Sequence, residues 1–119
     1  NNEVNFFTIN QWFDETFFNE NAMENLHFPS VNLNNLKKFN KKFLKKYNEE
    51  PVKVSILAYD SLGLVYYCWI NNNFEFKRDL LYNKEGFKGL HGEFLIENNK
   101  SKQNLNVYKI SKKEFIKVY

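Results

Sequence analysis

The apolar positions of this chain change their period along its length, and each change marks an element. Val4-Asn5-Phe6-Phe7-Thr8-Ile9 is dense in β-branched and aromatic residues and predicts a buried strand. Asn10-Gln11-Trp12-Phe13-Asp14-Glu15 leaves that strand through polar residues, and residues 14–25 read as a loop with a helical turn. Asn25-Leu26-His27-Phe28 predicts a second short strand, with Pro29 as its end, because proline cannot donate to a ladder. From Leu33 to Tyr47 the residues Leu36, Phe39, Phe43, Leu44 and Tyr47 recur at helical spacing. Ser30 or Asn32 can cap this helix, and Asn48-Glu49-Glu50-Pro51 ends it. Lys37, Lys41, Lys45 and Lys38, Lys42, Lys46 make two i,i+4 rows, expected on the far, water-facing side because like charges at that spacing repel.

The run from Val54 to Ile70 is apolar on nearly every face, which predicts a helix buried on most sides. Gly63 in its interior costs about 1 kcal/mol against alanine, and is expected to mark the close approach of a neighbouring backbone. Asn71-Asn72-Asn73 ends the helix with residues that tolerate the left-handed conformation. Lys77 to Tyr82 reads as a short helix, and Gly86, Gly89 and Gly92 as turns around a bend. Glu93 to Glu97 predicts a strand, Asn98-Asn99-Lys100 a hairpin turn, and Leu105, Val107 and Ile110 a further strand with Tyr108 on the face opposite Val107. Ser111-Lys112-Lys113-Glu114 is a turn before a last strand, Phe115 to Tyr119. The order is strand, strand, helix, helix, then a β meander. With helices as crossovers, the expected class is α/β.

At 119 residues the chain has the size of one domain. A hydrophobic share of 43% supplies a core, in which thirteen Phe and seven Tyr dominate by the area each aromatic buries. Alanine occurs only at Ala22 and Ala58, and Arg78 is the one arginine among 17 basic residues. That bias towards Lys, Asn, Phe, Ile and Tyr is what an AT-rich genome produces, so the Asn runs carry little functional weight. Cys68, in the apolar run Val65 to Ile70, is the single cysteine, so no internal disulfide forms and a buried, inert thiol is expected. No run of 18 apolar residues predicts a membrane-spanning helix. The chain opens Asn1-Asn2-Glu3 without a leader pattern and reads as a processed chain, a clipped domain or a fragment.

Several chemistries find no support. The net charge of +3, the near absence of arginine and the lack of a groove-reading motif argue against nucleic acid as a partner, so the lysine rows read as a solvated face. His27 and His91 have no Cys, His or carboxylate at ligand spacing, so neither metal nor cofactor is expected. There is no nucleophile elbow, P-loop or paired-carboxylate constellation, and no catalytic residue is assigned. The glycines at 86, 89 and 92 lead into a strand, not a helix, and are no dinucleotide fingerprint.

Five stretches carry a resemblance. They are Tyr47-Asn48-Glu49-Glu50-Pro51 after the lysine-rich helix, Leu57-Ala58-Tyr59-Asp60-Ser61 opening the apolar helix, Gly86 through Phe94, and the paired runs Val107 to Ile110 and Phe115 to Val118. In this order they resemble the C-terminal end of type 1 periplasmic binding proteins, the leucine-binding-like group. Leu57-Ala58-Tyr59-Asp60 followed by the Gly-Phe-x-Gly-x-x-Gly-x-Phe turn is especially similar to the penicillin-binding protein activator branch. The resemblance implies one partial domain of a two-lobe α/β fold: residues 1–27 as second-lobe strand and loop, 28–100 as first-lobe helices and strand, and 101–119 as closing strands. It also implies a non-enzymatic periplasmic receptor that closes on a small polar solute such as an amino acid, and presents it to a membrane transporter permease. The alternative is an interaction module that contacts a cell-wall synthase. On that basis Tyr59 and Asp60 are candidate ligand-binding residues, and Phe28 and Pro29 fall near a hinge crossing. Asn10, Gln11 and Trp12 join the ligand-binding set because they follow the C-terminal end of the first strand, where open α/β sheets bind ligands.

Overall fold

A computed structural model describes residues 4–9, 16 and 19–119, so Asn10, Gln11 and Trp12 lie outside the described residues. The strands are His27–Ser30 (β1), Phe87–Lys88 (β2), Glu93–Glu97 (β3), Lys100–Gln103 (β4), Asn106–Ser111 (β5) and Glu114–Lys117 (β6). The helices are Leu33–Tyr47 (α1) and Ser55–Ile70 (α2), with short 3-10 turns at Asn21–Met23 and Arg78–Leu81. The strands pair into two antiparallel sheets, ordered β1-β5-β6 and β2-β3-β4. The expected helical crossovers between parallel strands are therefore not what pairs these strands. The one parallel pairing among the described residues is the bridge from Phe7 to His27.

The chain divides into two compact units. One holds the described residues up to Ser30 together with Leu105–Tyr119, and the other holds Val31–Asn104. Phe28 and Pro29, the predicted hinge pair, lie in β1 just before the first division.

In the first unit, β1 runs through Pro29 and does not stop at it. His27 donates its N–H to the Phe6 carbonyl (2.8 Å) and accepts the Thr8 N–H (2.9 Å), so its backbone groups point to the 4–9 side. Backbone direction alternates along a strand, so the missing N–H of Pro29 also faces that side and costs the β5 ladder nothing. Phe28 sits opposite Tyr108 in the ladder, and their rings stack at 5.8 Å. These two residues and Ile110 form the buried centre of the unit. The stretch 4–9 is not the buried strand expected: Phe6 and Phe7 are both 67% exposed. It touches the sheet through a single bridge, and no layer among the described residues covers it. The β5–β6 turn holds Lys112 and Lys113 at φ 53° and 64°. That is the sign a two-residue hairpin requires, and the Glu24 carboxylate supports it by accepting the Lys112 N–H at 3.0 Å.

In the second unit, α1 has the predicted limits. The Asn32 side chain accepts the Asn35 N–H (3.1 Å) as N-cap, and Asn48 closes the helix in the left-handed conformation at φ 55°. All six lysines are exposed, as expected, but one row differs in its place. Lys38, Lys42 and Lys46 do not lie on the far side; they border the aromatic row and line a groove beside it. Strand β4, Lys-Ser-Lys-Gln, has no apolar alternation and escaped prediction; it is held by its register with β3. Asn98 and Asn99 make the turn between them, both at positive φ.

Helix α2 buries one stripe only, Ile56, Asp60 and Cys68. Leu57, Leu62, Val65, Tyr66, Tyr67, Trp69 and Ile70 are exposed, so the expectation of burial on most sides fails for the described residues. The reading of Gly63 fails with it, because a Cβ at that position would meet nothing within 4 Å.

Two outcomes follow. Gly63→Ala is expected to stabilise the protein by about 0.5–1 kcal/mol through helix propensity alone, read as a melting temperature a few degrees higher. A lower melting temperature would mean that another surface packs on that face. Burial pushes the Cys68 thiol above its usual value, so the folded state keeps the proton longer than the unfolded chain does. The stability this thiol contributes is full below the unfolded pKa of about 8.5 and is lost as pH rises through the folded value. At pH 8, Cys68 should react with a disulfide reagent roughly a hundredfold more slowly in the native than in the denatured protein.

Candidate functional site

The α2 register places Asp60 on the buried stripe with its carboxylate aimed at the turn Gly89-Leu90-His91. The carboxylate accepts the Leu90 N–H at 2.9 Å and the His91 N–H at 2.8 Å, and the His91 ring donates to it from Nδ1. Asp60 and His91 are 7% and 6% exposed. The approach depends on Gly89, where a Cβ would sit 2.6 Å from the Asp60 carboxyl carbon. The outward carbonyls of the turn are used as well. The Leu90 carbonyl accepts from the Asn35 side chain (3.0 Å) and the His91 carbonyl from the Asn32 N–H (2.8 Å). The turn thus ties the second turn of α2 to the first turn of α1. The His91 ring stacks on Phe94 at 5.0 Å and carries the tie into β3.

This arrangement gives Asp60 a structural task. Its carboxylate bonds the backbone amides of Leu90 and His91. As a candidate ligand-binding residue it has both oxygens already engaged. The His91 partnership was not foreseen, because 31 residues separate the pair; the visible hint was a glycine two residues before the histidine.

Tyr59, the neighbouring candidate, is 57% exposed. It lies at the edge of a groove of about 380 Å³ between α1 and the start of α2. Phe39 meets the Tyr59 ring edge-on at 5.8 Å, and Phe43 follows at 6.0 Å from Phe39 and 4.6 Å from Tyr47. Lys38, Lys42 and Lys46 flank these rings, with Leu90, Asn35 and Ser55 completing the wall. The structure brings Tyr59 and Asp60 to the same turn of α2, on different sides of it. Phe28 and Pro29 belong to the other unit. No group of His, Cys, Asp and Glu able to hold a metal occurs among the described residues.

No protein-family model matches the sequence, and no curated protein matches it. Solved structures do. A Rhodospirillum rubrum protein described as a branched-chain amino acid ABC transporter matches 94% of this chain with a TM-score of 0.76 at 14% identity. The leucine-binding protein LivK of Thermotoga maritima matches 95% at a TM-score of 0.55 and 18% identity. LpoA of Haemophilus influenzae matches 97% at 0.60 and 13%. The fold is that of the C-terminal portion of a type 1 periplasmic binding protein. The chain spans 36% of the first two structures and 22% of LpoA. At these identities the likeness to periplasmic binding proteins is one of fold, and it agrees with the order of motifs read in the sequence. No described helix is long and apolar enough to cross a membrane.

The Asp60 contacts predict a non-additive mutant pair. Asp60→Ala strands two backbone N–H groups away from water and should cost about 2–4 kcal/mol. Gly89→Ala forces a methyl against the carboxylate and should cost about 1–3 kcal/mol. In the double mutant the clash has lost its partner, so the loss measured by denaturant titration should fall well short of the sum. Strict additivity would show that the two residues do not meet.

Proposed function

We propose that this chain is the C-terminal part of a non-enzymatic periplasmic receptor that binds a small polar solute, amino-acid-like in chemistry, between two lobes and delivers it to an ABC-transporter permease. The observation that carries the reading is the match over 94% of the chain to a structure described as a branched-chain amino acid ABC transporter. Division of the chain into two units, with Ser30–Val31 and Asn104–Leu105 as the points of passage, is in keeping with a molecule that works by lobe movement. In this reading Asn10, Gln11 and Trp12 meet the solute, Tyr59 contributes from the head of α2, and Phe28 and Pro29 lie at a hinge. Asp60 acts indirectly by fixing the turn beside Tyr59.

The second reading is an activator of a cell-wall synthase that uses the same fold for protein contact. The likeness to LpoA over 97% of the chain supports it, as does the motif pair Leu57 to Asp60 and Gly86 to Phe94.

Ligand-induced stabilisation of the full-length protein separates the two. A ligand at a hundred times its dissociation constant adds about 2.7 kcal/mol, so a thermal-shift panel of the common amino acids should single out one chemical class. A panel without a shift, together with retention of a cell-wall synthase on the immobilised protein, would replace the receptor reading with the activator reading.

A further inference from the structure

We propose that the groove between α1 and α2 binds a small aryl carboxylate, ring against Phe39, Phe43 and Tyr59, carboxylate towards Lys38 and Lys42. This site is built from residues of one unit, and it shares Tyr59 with the solute reading above. Its volume of about 380 Å³ holds one aromatic ring with a short acidic arm, within the usual range of small-molecule pockets. Phe39 and Tyr59 already meet edge-on, a geometry that leaves ring surface free for an offset third ring.

The charge around the groove is one-sided. Lys38, Lys42 and Lys46 line it, and among the described residues no carboxylate does. Lys46 is folded over Tyr47, 5.2 Å from the ring centroid, which leaves Lys38 and Lys42 as the cations nearest Phe39 and Phe43. Three ammonium groups in a row cannot be covered by an apolar surface without a large desolvation cost. Lys38, Lys42 and Lys46 are all exposed. An apolar floor with a cationic rim selects against neutral or cationic solutes and favours an amphipathic anion.

Indole-3-acetate and tryptamine carry the same ring with opposite charge, and they test the idea when titrated into the full-length protein by isothermal calorimetry or by chemical-shift perturbation. The acid is expected to bind at least about tenfold more tightly than the amine. Lys42→Glu should weaken the acid about tenfold or more, whereas Lys41→Glu, in the row that does not line the groove, should leave it unchanged. Circular dichroism checks that both variants fold. Equal binding of acid and amine would reduce the groove to a non-selective apolar patch and overturn the proposal. Absence of acid binding, or equal loss in both lysine variants, would overturn it as well.

Discussion

The second unit is organised around one buried carboxylate. Asp60 enters an otherwise apolar helix, and burying it alone would be costly. Two backbone N–H groups and an imidazole meet it, and those donors belong to a turn that α1 holds from the other side. Helix α2, helix α1 and the entry to β3 are thus positioned by reference to the same few atoms. Apolar contact alone would let the helices slide; hydrogen bonds with fixed directions do not. Gly89 is part of the same device, because any side chain there would push the carboxylate away from its donors.

The second feature of the unit is a division of labour along α1. Its aromatic row borders lysines and water, and Phe39 of that row meets Tyr59 of α2. On α2 the balance is different: a single polar residue is buried, and most large apolar residues are exposed. Such a surface is larger than a lone soluble domain usually presents. The chain spans 36% of the Rhodospirillum rubrum structure and 22% of LpoA, and the apolar faces of α2 and the stretch 4–9 are where additional layers would find support.

Much of this was legible in the sequence, for definable reasons. Helix α1 was readable because its apolar residues repeat at one period and its ends carry an amide cap and a proline. The β3–β4 and β5–β6 turns were readable because Asn98-Asn99 and Lys112-Lys113 interrupt strand-like runs. Strand β4 was not, since its residues are polar and only register with β3 makes it a strand. Pro29 misled, because whether proline ends a strand depends on which edge its nitrogen faces, and that is a property of the sheet. Gly63 misled in the same way: a helical glycine signals close packing only where something lies opposite. The Asp60–His91 contact joins residues far apart in the chain, so no local period could announce it. Asn10, Gln11 and Trp12 rest on the sequence argument alone.

The pairing of β1 with β5 has a consequence for how the chain folds. Ser30 and Asn106 face each other in that ladder, so residues 31–104 form an insertion whose two ends leave from adjacent strands, about 5 Å apart. Closing the ladder around an unfolded insertion would carry the entropy loss of a long loop. If the insertion folds first and brings its own ends together, that loss is already met. The assembly of the first sheet is then expected to wait on the turn that Asp60 secures, and a defect at that carboxylate would reach strands that it never touches.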